Sequence, residues 1–156
     1  MNRTVWILAA FVLLAGLLGL LLPPLMTRGA VRSAVLQIGD AVRAEDMNRL
    51  EAGIIPVQRG MARSLIEPLL KGHGSSLQRT RITGMEKNGD GSYTLEVVFS
   101  FDDASWGRQV VEARMPMKND AGQWLLDLAA CEARQFSLSG DGSWTKAVDW
   151  LNLAHP

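Results

Sequence analysis

The stretch Tyr93 to Asp102, YTLEVVFSFD, constrains the fold of this chain more than any other part of it. Tyr93, Leu95, Val97, Phe99 and Phe101 fall on one side of a period-two strand, and Thr94, Glu96, Val98, Ser100 and Asp102 fall on the other. Side chains alternate between the two faces of a strand, so this pattern describes an antiparallel strand that is apolar on one face and wet on the other. Such a strand needs neighbours to pair with and a layer to cover its apolar face.

The flanking sequence supplies the neighbours. Gln78 to Met85 reads as a preceding strand, joined through the hairpin turn Lys87-Asn88-Gly89-Asp90-Gly91. After a turn at Asp102-Asp103-Ala104-Ser105, the segment Arg108 to Lys118 alternates again, and Pro116, which cannot donate to a ladder, predicts a bulge or an edge. A third turn at Asn119-Asp120-Ala121-Gly122 leads into a fourth strand, Trp124 to Ala133, giving an antiparallel meander. From Ser143 a short terminal helix is expected, with Trp144, Val148 and Leu151 inward.

The covering layer lies upstream. Ala30, Val31, Ala34, Val35, Ile38 and Val42 repeat at helical spacing, which predicts an amphipathic helix from Gly29 to Ala44. Asp46 is placed to cap a second, shorter helix carrying Met47 and Leu50, and Gly53 to end it. Pro56 opens a third, with Val57, Met61, Leu65 and Leu69 inward and a kink or stop near Glu67 ahead of Pro68. The glycine-rich segment from Gly72 to Ser76 reads as a loop.

Before these helices, Val5 to Leu22 holds no charged residue, and as a helix its length nearly matches a hydrocarbon core of about 30 Å. Its length exceeds the usual apolar core of a cleaved signal, about 7 to 15 residues. The expected organisation is therefore a transmembrane anchor at 1–26 and a soluble α+β domain at 27–156. The fold class is an N-terminal transmembrane helix, then two or three helices packed on a curved, cone-like antiparallel meander. The short positive leader places the domain on the periplasmic side of a bacterial inner membrane.

Net charge is zero, yet Arg28 to Arg81 holds nine Lys/Arg against five Asp/Glu, and the remainder to Pro156 holds six against eleven. The basic residues are spread along helices without interleaved aromatics, which argues against nucleic-acid binding. One cysteine, Cys131, excludes an intramolecular disulfide. Metal-ligand spacing is absent: Asn88-x-Asp90-Gly91 hints at a calcium loop, but Val97 stands where a closing glutamate belongs.

The phrases GDGSYTLEVVFSF and MKNDAGQWLLDL, set in successive hairpins after two or three helices, resemble the nuclear transport factor 2-like superfamily over Val31 to Ala133. That resemblance implies a sheet wrapped around helices into a cone, which some members use as a ligand pocket or active site. Its enzymes, such as ketosteroid isomerases, carry carboxylates, tyrosines or histidines on the inward face. Here the counted inward face of Tyr93 to Asp102 holds no carboxylate, and His73 and His155 have no sequence context naming a partner.

These readings predict no catalytic set, no metal and no cofactor. The leading expectation is a membrane-anchored binding or assembly subunit of a bacterial cell-envelope complex. The first alternative is a carrier or sensor of a small apolar ligand in a cone lined by Tyr93, Leu95, Val97, Phe99, Phe101, Met115 and Leu126. A ketosteroid isomerase-like enzyme is the second. Trp106 and Trp150 are the expected interface residues, because aromatic side chains anchor protein contacts.

Overall fold

The computed structural model describes residues 25–148. Helical backbone runs over 25–43 (α1), followed by α2 at Met47–Ala52, a 3-10 turn at Pro56–Gln58 and α3 at Arg59–His73. A second 3-10 turn, Gly74–Ser76, leads into strands β1 Leu77–Lys87, β2 Tyr93–Asp103 and β3 Gly107–Asp120. Then come β4 Gln123–Leu126, a 3-10 turn at Leu128–Ala130, β5 Glu132–Leu138 and β6 Trp144–Val148.

Local chemistry accounts for the helix ends. The Arg49 amide donates to the Asp46 carboxylate at 3.0 Å, capping α2, and the Gly53 amide closes its other end on the Leu50 carbonyl at 3.0 Å. Pro56 opens its 3-10 turn, where a missing amide costs nothing. Contrary to expectation, α3 continues through Pro68, and helical geometry fails only at Lys71 and Gly72, the latter at φ 135°. Val57, expected to face inward, is 89% exposed.

The expected fold needs correction on two counts. Among the described residues no helix is long and apolar enough to cross a membrane, and the run Val5 to Leu22 lies outside them. The sheet is also not a four-stranded meander. It has six antiparallel strands in the order β1-β2-β3-β5-β6, with β4 paired to β3 off that path. The segment read as a single fourth strand is broken in the middle, because hydrogen bonds from the helical layer pull it off the ladder. Leu126 donates to the Gly53 carbonyl at 2.8 Å and accepts from Ile55 at 3.1 Å. The Gln58 side chain accepts from the Leu128 amide at 2.7 Å and donates to Asp127 at 2.7 Å.

Pro116 sits at this break. β3 pairs with β5 over 109–114 and with β4 over 117–120, and the Pro116 carbonyl accepts from Asp127 at 2.9 Å. The ladder position that lacks an amide thus falls between two partner strands.

The tail after Gly142 is likewise a strand, not a helix. Asp141 accepts from the Ser143 amide at 2.9 Å, Gly142 takes φ 82°, and the Ser139 amide donates to the Ser143 carbonyl at 2.8 Å. These bonds close a hairpin between β5 and β6. Leu151 and Trp150 lie outside the described residues.

The helices cover one face of the sheet. Val31, Val35, Ile38 and Ala41 of α1 pack in one core with Leu50, Ile54, Ala62 and Leu70 and with the sheet residues Tyr93, Leu95, Val97, Met115 and Met117. Tyr93 meets Trp124 edge-on at 5.4 Å. Arg43, at the end of α1, donates to the Leu77 carbonyl at 2.9 Å and ties the helix to the start of β1.

Candidate functional site

The helical layer does not fill the space above the sheet. Between α3 and the inner face of β2, β3 and β5 lies a cavity of about 380 Å³. α3 contributes Leu65, Ile66, Leu69 and Leu70 as one wall, four residues that its helical spacing gathers towards one side. Phe99, Phe101, Val111, Ala113, Met115 and Ala133 form the opposite wall, and Leu126, Leu128 and Cys131 close the far end. Ala113 and Ala133 are cross-strand partners, so the small residues that leave room stand side by side.

Of the sequence-predicted lining, Phe99, Phe101, Met115 and Leu126 reach the cavity. Tyr93, Leu95 and Val97 are at most 4% exposed and belong to the packed core instead. Burial raises the Cys131 thiol to about 12, with the Asp127 carboxylate adding to the effect, so it stands in the wall as an uncharged, unreactive group.

The polar groups gather at one end. His73 Nδ1 lies 2.7 Å from Asp103 Oδ2, and the other carboxylate oxygen accepts from the amides of Ser105 at 2.8 Å and Trp106 at 3.0 Å. The His73 and Trp106 rings stack with centroids 3.5 Å apart. Gln109 donates to the Trp106 carbonyl, and Gln135 donates to Gln109 at 2.9 Å. The His73 bond, then the two amide bonds, hold the Asp103 carboxyl down at about 2. It is ionised at neutral pH, and all three donors converge on it.

The sequence reading missed this cluster. It ended the second strand at Asp102, yet the strand runs one residue further, and period-two counting from Tyr93 puts Asp103 on the inward face. A carboxylate therefore does face the side of Tyr93, which corrects the count. His73 carries no local mark of its role: the break at Lys71 and Gly72 turns it towards the β2–β3 turn. Trp106, expected at an interface, is 44% exposed while stacked on His73 at the cavity mouth.

No protein-family model matches the chain, and no curated protein does. A solved structure, the solution structure of a SEC-C motif containing protein from Rhodopseudomonas palustris, is similar to it at 16% identity with a TM-score of 0.47. The match covers 56% of this chain and 66% of that one.

Proposed function

We propose that this protein binds and carries a small apolar molecule in the cavity between α3 and the sheet. The observation that carries the reading is the cavity itself: about 380 Å³, with apolar walls and polar side chains gathered at one rim. Ligand sites in proteins occupy about 300 to 1,000 Å³ and combine such walls with a few converging polar groups.

An enzyme fits less well, because both oxygens of the inward carboxylate are already engaged and no second free carboxylate stands among the cavity residues. The apolar run Val5 to Leu22 supports a site of action beside a membrane, where such molecules are dissolved. Native mass spectrometry of gently extracted full-length protein tests the proposal. An added mass that is lost on denaturation is expected; a clean apo mass across preparations contradicts it.

A further inference from the structure

We infer that two copies of this chain pair through the sheet face that carries no helix, in one register set by its charges. The inference is independent of the cavity, which lies on the other face. Side chains alternate along a strand, so the residues of β2, β3 and β5 that do not line the cavity point away from the helices. The strand register gathers them into rows across the sheet. One inner row is Arg81, Val98, Glu112 and Arg134, and the other is Gly84, Glu96, Arg114 and Glu132. The flanking rows are Arg79, Ser100, Val110 and Phe136 on one side and Glu86, Thr94 and Pro116 on the other.

These charges are not paired off within the chain. Arg114 and Glu132 stand 3.8 Å apart with both side chains more than half exposed, a contact worth little in water. Glu112 and Arg134 are cross-strand partners yet form no ion pair, and Arg79, Arg81, Glu86 and Glu96 form none among the described residues. An open polar groove of about 420 Å³ lies among the inner rows.

The pattern is complementary to itself. Sheets stack face to face with their strands nearly aligned. A half-turn about an axis that crosses the strands between the two inner rows lays each strand on the same strand of the second copy, one inner row on the other. Glu112 then meets Arg114 of the second copy, Arg134 meets its Glu132, Arg79 its Glu86 and Val110 its Pro116. Each pair occurs twice, and no like charges are set face to face. A half-turn about an axis along the strands, between β2 and β3, would instead set Arg81 on Arg134. Four strands about 4.8 Å apart and four rows about 6.8 Å apart cover roughly 500 Å² of each copy, below the roughly 800 Å² per partner of a standard interface. The pair is therefore weak, and charge sets its register.

The experiment follows dimerisation of the full-length chain in mild detergent by sedimentation velocity, up to about 0.2 mM protein because weak complexes dissociate in the micromolar range. The wild type is expected to dimerise. Raising salt from about 0.1 M to about 1 M shortens the screening length from about 10 Å to about 3 Å and is expected to weaken the dimer about tenfold. Glu112→Arg and Arg114→Glu are each expected to weaken it at least about tenfold, since like charges then face each other twice. Mixing the two single variants is expected to restore a dimer with one copy of each, because every reversed charge meets its opposite. The double variant is expected to dimerise within about threefold of the wild type. In its own chain the double variant sets the new arginine at 112 beside Arg134 and the new glutamate at 114 between Glu96 and Glu132, so intrachain pairing alone predicts no recovery.

A wild type that stays monomeric overturns the inference. So does a dimer that survives both single reversals, which is held elsewhere, and so does loss without recovery in the mixture and the double variant. Should Arg114→Glu fail to fold, Glu132→Arg and Arg134→Glu repeat the test at the outer pair.

Discussion

Asp103 shows how much one residue can organise. It is 7% exposed, ends β2, receives two amides of the following turn and is hydrogen-bonded through its other oxygen to His73 at the end of α3. Its carboxyl is held at about 2 in the fold against 3.8 ordinarily. A depressed carboxyl stabilises the fold above its unfolded value, and that contribution is lost as pH falls through the folded one. Wild type is therefore expected to lose stability relative to Asp103→Asn between about pH 4 and about pH 2. Urea midpoints of the two proteins measured across that window check this; parallel curves would contradict it. Asp103 was legible in the sequence by extending an alternation one position. His73 was not, because its position depends on a backbone break and a partner 30 residues away.

At the scale of elements, the ends that depend on local chemistry were legible and those that depend on distant partners were not. Asp46 and Gly53 bound α2 by bonds to residues within four positions, and the alternation of β2 follows from its own side chains. The break between β4 and β5 depends on Gln58, about seventy residues upstream, and no period in Trp124 to Ala133 encodes it.

The packing of α1 against the turn after α3 is another distant dependence. Gly74 has ordinary helical dihedrals, φ −60° and ψ −44°, so any residue could adopt its backbone. A Cβ there would nonetheless collide with the Val42 carbonyl oxygen and press on Glu45 at 3.0 Å. Gly74→Ala is expected to cost about 1 to 3 kcal/mol, as overpacking does, whereas Gly89→Ala, with nothing within 4 Å, should stay within about 0.5 kcal/mol. Chemical denaturation of both variants checks this, and equal costs would contradict it.

At the scale of the described molecule, the helical cover packs closely on the sheet around Val31 and Val35 of α1 and leaves a cavity beneath α3 that Ile38 and Val42 of α1 also line. Val31 and Val35 of α1 are fully buried, whereas Leu65 of α3 is 42% exposed at the edge of the cavity. The membrane anchor expected at Val5 to Leu22 lies outside the described residues, so this asymmetry is what the fold itself contributes to a functional reading. The central claim is that an apolar molecule enters the cavity. Methyl-resolved NMR of the protein titrated with decanol tests it directly. The account predicts saturable shifts at Leu69, Ala113, Met115 and Ala133, with Val31 and Val35 unmoved. Shifts confined to other surfaces, or none at all, would contradict it.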